Sequence, residues 1–120
     1  MIELRRSPRI NVTWRGMIKL AEGHILPIRA INVSATGVLI LSPQALMIDK
    51  EFQCMLEIPH IGQGSTELYK VPCKIAILHS ILSGDAFRIG VRFVEIAELH
   101  RDLLNAWVSL ASKLDPPKNA

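Results

Sequence analysis

From residue 12 to residue 94, apolar and polar side chains take turns with a period of two. "WRGMIKL" sets Trp14, Ile18 and Leu20 on one face and Arg15, Met17 and Lys19 on the other. "FQCMLEI" does the same with Phe52, Cys54, Leu56 and Ile58, and "VPCKIAI" with Val71, Cys73, Ile75 and Ile77. "FRIGVRF" turns Phe87, Ile89, Val91 and Phe93 inward and Arg88 and Arg92 outward. Successive side chains of a strand point to opposite faces, so each run reads as a strand with one buried face. With "ILPIRAI" and "VLIL" there are six such runs, separated by the turn formers "AEGH", "NVSATG", "IGQGS" and "LSGD". An open sheet of six strands would expose two edges, and closure into a barrel removes them. The expected fold is mainly β, a six-stranded antiparallel β-barrel over residues 12–94. Pro27 and Pro72 fall inside strand runs and should sit at edges or bulges, where no ladder N–H is needed.

After residue 94 the period changes. Ile96, Leu99, Leu103, Trp107 and Leu110 recur at spacings of three and four, which predicts a C-terminal α-helix over 95–114 with that apolar face. Lys113 suits its last turn, and "DPP" at 115–117 stops it. Residues 115–120 are expected to be a disordered tail. A chain of 120 residues fits one domain, here 1–114, and can bury a core without disulfide or metal staples.

Composition excludes several classes. Hydrophobic residues make up 49% of the chain, yet no run approaches the roughly 18 consecutive apolar residues of a membrane span. "MIELRRSPR" lacks the apolar core of a secretory signal, so the cytoplasm is the expected compartment. Cys54 and Cys73 lie in alternating runs and read as reduced core residues, not as a zinc pair. The four histidines are scattered, so no metal site and no cofactor are expected. The phosphate-binding G-x-x-x-x-G-K-[ST] loop and the G-x-S-x-G nucleophile elbow are both absent, and no enzymatic activity is expected. A nucleic-acid barrel would show surface aromatics beside a positive groove, whereas most aromatic residues here fall on inferred buried faces, so no nucleic acid polymer is expected as a partner.

Charge is informative by position. Residues 1–20 hold Arg5, Arg6, Arg9, Arg15 and Lys19 against Glu3 alone, a balance of +4. The whole chain is +3, so the remaining hundred residues sum to −1. This concentration indicates one local anion site. In "RRSPR" at 5–9, Pro8 stiffens the backbone and arginine fills every basic position. The planar guanidinium presents a rigid fork of N–H donors matched to phosphate oxygens or a guanine edge, a pre-organisation lysine lacks. In "NVSATG" at 32–37, Asn32 and Ser34 carry polar groups that can point outward at a ligand. Gly37 would permit close approach or supply a positive φ.

Together these motifs resemble the PilZ domain family. Arg5 and Arg9 fill R-x-x-x-R, Asn32, Ser34 and Gly37 fill [D/N]-x-S-x-x-G, and "RIGVRF" before the helix is similar to the family's last barrel strand. The resemblance runs over roughly residues 4–112. It implies a receptor for the bacterial second messenger cyclic di-GMP. Arg5, Arg9 and the auxiliary Arg6 would grip phosphate or guanine, Asn32 and Ser34 would bond a guanine edge, and Gly37 would complete the turn. It also implies that residues 1–10 are a flexible, ligand-wrapping segment whose ordering signals to an effector protein, and a homodimer is compatible with it. The alternative within the family is a protein-docking module without nucleotide binding, as in type IV pilus or motility machinery.

Overall fold

A computed structural model describes residues 8–61 and 66–114, with side chains through Ala111. Its elements are β1 (Ile10–Lys19), a 3-10 turn (Ala21–Gly23), β2 (Ile25–Val33), β3 (Gly37–Ser42), β4 (Glu51–Pro59), β5 (Leu68–Ser83), β6 (Ala86–Ile96) and α1 (Glu98–Leu114). The strands form one closed antiparallel barrel in the order β1-β2-β3-β6-β5-β4. β1 closes it against β4, from Gly16 opposite Leu56 to Lys19 opposite Gln53. This is the expected architecture, reaching slightly further at each end than the alternation predicts.

The inward positions of the alternating runs make the core. Ile18, Ile58, Val71, Ile77 and Ile89 are entirely excluded from solvent. Each such aliphatic side chain contributes roughly 1.5–3 kcal/mol on burial. The expected faces of Trp14, Leu56, Cys73, Ile75 and Phe93 are likewise inward.

The barrel has no global edge, yet both prolines obey the edge rule locally. Pro27 pairs with Met17 of β1, while the β2–β3 ladder begins only at Arg29. Pro72 pairs with Met55 of β4, while the β5–β6 ladder begins only at Cys73. Each proline therefore lies where its strand outruns one neighbour, and its missing N–H costs no bond on that side. At the β5–β6 hairpin, Ser83 faces Ala86 across a two-residue turn, and Gly84 adopts the positive φ (+70°) that such tight turns require.

The helix departs from expectation in start and in rotation. β6 continues through Ile96, so α1 starts at Glu98 and not at 95. Leu99, expected on the buried face, is 75% exposed. Leu104 and Val108 are the buried residues, flanked by Leu103 and Trp107. The anchor is Trp107, which meets Trp14 edge-on at 6.1 Å and donates its indole N–H to the Pro59 carbonyl at 2.8 Å. That docking turns Leu104 to the barrel and leaves Leu99, roughly 140° away around the helix, in solvent. Among the described residues no helix is long and apolar enough to cross a membrane.

Cys54 and Cys73 are direct cross-strand partners on β4 and β5, free and buried. Interaction with the adjacent Cys73 thiol, and then burial, pushes the Cys54 thiol well above its ordinary pKa. The same interaction lowers Cys73, against the effect of burial. Thiolate is the reactive form and both thiols are buried, so iodoacetamide should label neither rapidly in the native protein and both after unfolding. Peptide mass mapping checks this, and rapid native-state labelling of either cysteine would contradict their burial.

Candidate functional site

The "NVSATG" segment is the β2–β3 turn, as expected, and it is held from three sides. From within, the Ser34 hydroxyl accepts the N–H groups of Thr36 and Gly37, each at 3.2 Å, and lies 3.1 Å from the Thr36 hydroxyl. The Ser34 N–H closes the turn on the Gly37 carbonyl at 2.9 Å. From β6, the Phe93 N–H donates to the Thr36 carbonyl at 3.0 Å. From the helix, Arg101 Nη1 donates to the Ala35 carbonyl at 2.6 Å across 66 residues of sequence.

These contacts revise two expectations. Ser34 is 1% exposed and turned inward, not outward. Gly37 has no positive φ. Its need is proximity, because a Cβ there would stand 2.3 Å from the Val91 carbonyl oxygen, where β3 and β6 pair from Gly37–Arg92 onward. Backbone closeness between the strands is by itself enough to require that glycine.

Asn32 sits at the end of β2 beside a bulge between Ala30 and Asn32, opposite a bulge in β1 between Asn11 and Trp14. Bulges re-aim side chains and occur next to functional sites. Here they bring together Asn32, its register partner Asn11, and Arg9. Asn32 Nδ2 donates to Asn11 Oδ1 at 3.0 Å, and Arg9 Nη1 reaches Asn32 Oδ1 at 3.5 Å. A guanidinium only donates, so it faces the amide oxygen and fixes the amide's orientation. At 3.5 Å that bond is stretched beyond the usual 2.7–3.2 Å range, roughly, and Arg9 can exchange it for a better acceptor at little cost. Arg5 and Arg6 lie outside the described residues, as do most of the expected flexible segment and the tail at 115–120.

One row of the outer face is also basic, which the charge count by position does not reveal. Arg15 of β1 lies directly opposite Arg29 of β2, Arg29 opposite Leu41 of β3, and Leu41 opposite Arg88 of β6. Arg15, Arg29 and Leu41 line a groove of about 270 Å³. Directly opposed like charges destabilise a sheet. One of them is offset by Glu57, 3.6 Å from Arg15. Among the described residues no group of His, Cys, Asp or Glu is arranged to hold a metal ion.

Asn11 and Arg101 are absent from the sequence motifs. Asn11 could be found from its place two residues after the arginine motif, but only strand register pairs it with Asn32. Nothing in the helical pattern singles out Arg101.

A closed six-stranded barrel with a C-terminal helix and a polar β2–β3 turn beside an arginine-bearing N-terminus defines a class of β-barrel domain. The chain belongs to the PilZ domain family, whose description it matches over residues 3–110. Solved structures agree in fold. The Bacillus subtilis inhibitor of motility MotI/DgrA superposes with a TM-score of 0.82 at 12% identity, covering 97% of this chain and 55% of that one. YcgR from Escherichia coli in complex with c-di-GMP gives 0.73 at 18% identity, covering 94% and 48%. The isolated PilZ domain of YcgR with c-di-GMP gives 0.60 at 19% identity, covering 96% and 100%. The chain thus spans about half the length of the first two. No curated protein sequence matches it.

Proposed function

We propose that this domain is a non-catalytic receptor for cyclic di-GMP, which binds on the outer face between the Arg5–Arg9 segment and the β2–β3 turn. The observation that carries this reading is the meeting of Arg9 with Asn32, 23 residues apart, so that both motifs address one spot. Structures of the same fold described as complexes with c-di-GMP support the choice of ligand.

The ligand carries two phosphates and two guanines, and the residues suit both. Arg9, with Arg5 and Arg6, forks onto phosphate oxygens or a guanine O6/N7 edge. Asn32, once released by Arg9, offers its carbonyl to guanine N–H groups and is held in orientation by Asn11. Ser34 acts by shaping the turn from within, and Gly37 by letting β3 lie against β6. An anion on this face also offsets the repulsion between Arg15 and Arg29. Binding orders the N-terminal segment onto the barrel and changes the surface offered to an effector protein.

Calorimetric titration with cyclic di-GMP, with GTP as control, tests the reading. The wild-type chain should bind saturably, and Arg9→Ala and Asn32→Ala should each weaken binding about tenfold or more, about 1.4 kcal/mol. Arg5→Ala should do likewise. A folded wild type that gives no heat with cyclic di-GMP would overturn the receptor reading and favour the protein-docking alternative.

A further inference from the structure

β5 is longer than the barrel needs. Its ladder to β4 ends where Ala76 faces Glu51, followed by bonds from the Ile77 N–H to the Lys50 carbonyl (3.0 Å) and from the Asp49 N–H to the Ile77 carbonyl (2.8 Å). Its ladder to β6 continues to Ser83 opposite Ala86. Leu78–Ser83 therefore has β6 on one side and, among the described residues, no strand on the other.

This edge is unguarded, unlike two other overhangs of the barrel. Where β2 outruns β3 there is Pro27, and where β5 outruns β6 there is Pro72. The stretch "LHSILS" at 78–83 holds no proline, lysine, arginine or acid. Natural proteins blunt free edges with such residues because a bare one templates pairing with another strand. The edge is also apolar, with Leu78 49%, Ile81 59% and Leu82 63% exposed. Beside it the β3–β4 loop exposes Met47 (71%) and Ile48 (54%), brought there by the Asp49–Ile77 bond.

We propose that Leu78–Ser83 is a self-association edge, along which two copies of this chain pair antiparallel about a two-fold axis. A strand that pairs antiparallel with its own copy makes an isologous contact automatically. The charges at its two ends favour that occupant over a foreign strand. Antiparallel pairing sets the hairpin tip of one copy, with exposed Asp85, beside the base of the other, where exposed Lys50 borders Ile77. The five apolar residues expose the equivalent of about three whole side chains per copy. Burying them on both copies, with the strand backbone, reaches the scale of the smaller specific interfaces, roughly 1,200 Å² in total. The inference stands independently of the ligand.

Sedimentation of the full chain between about 1 and 100 µM tests it. The mass should rise with concentration from 13.4 kDa toward twice that value. The double variant Ile81→Lys, Leu82→Lys should weaken association about tenfold or more with an unchanged far-UV spectrum. Lys50→Glu should weaken it too, and adding Asp85→Lys should restore it, a rescue that only pairing between copies produces. Leu99→Lys, at the separate exposed site on α1, should have no effect. A chain monomeric throughout the range would overturn the proposal. So would association that survives the edge lysines, that Leu99→Lys abolishes, or that the charge exchange fails to rescue.

Discussion

Gly37→Ala is expected to cost about 3 kcal/mol of stability, at the upper end of what overpacking does, and to disrupt the β2–β3 turn. Gly90→Ala is expected to cost less than about 1 kcal/mol. The added Cβ is equally crowded in the two cases, 2.3 Å from the Val91 carbonyl oxygen at Gly37 and 2.2 Å from the His79 ring at Gly90. The neighbours differ in what they can do. The Val91 carbonyl is backbone in the middle of β6, so relief must move a strand and strain the Gly37–Arg92 pairing. The His79 ring is an exposed side chain that can swing into solvent, and alanine suits a strand better than glycine. Urea denaturation of both variants decides the matter. Equal losses would mean that the crowding distance alone governs.

Leu104→Ala is expected to destabilise the protein by about 2–5 kcal/mol, the usual range for emptying a fully buried leucine site. Leu104 is 0% exposed and is the helix residue most deeply set in the barrel core. The loss should also be structurally uneven. The barrel has its own ladders around the whole ring, whereas α1 is held by Leu104, Val108, the Trp107 contacts and the Arg101–Ala35 bond. Helical signal should therefore melt before strand signal in the variant. Leu99→Ala, at a residue 75% exposed, should change stability by no more than about 0.5 kcal/mol. Comparable losses at 99 and 104 would contradict the helix rotation described above.

The barrel was legible because its cause is written locally. Each strand announces its buried face through alternation, and "NVSATG" announces a turn by composition. The helix was legible as an element but not in rotation, because a stripe running from Ile96 to Leu110 fits several docking angles. The choice fell to one bond, from the Trp107 indole to the Pro59 carbonyl, 48 residues away. The site was legible as a set of residues and not as a set of roles. Ser34 looks the same in sequence whether it faces solvent or its own turn. The reason for Gly37 lies in Val91, on a strand 54 positions further along, and no local pattern contains it. The outer row of Arg15, Arg29 and Arg88 exists only once three registers are combined.

The Arg101–Ala35 bond makes the turn and the helix a single mechanical unit. A guanidinium fixed on a carbonyl at 2.6 Å has little slack, so a tilt of the helix drags the turn's middle residue with it. Linkage of this kind runs equally in both directions. A ligand that grips the turn is therefore expected to be felt at the helix, and a partner on the helix at the turn. The two ends of that strut belong to the turn and to the helix, and the bond ties one to the other.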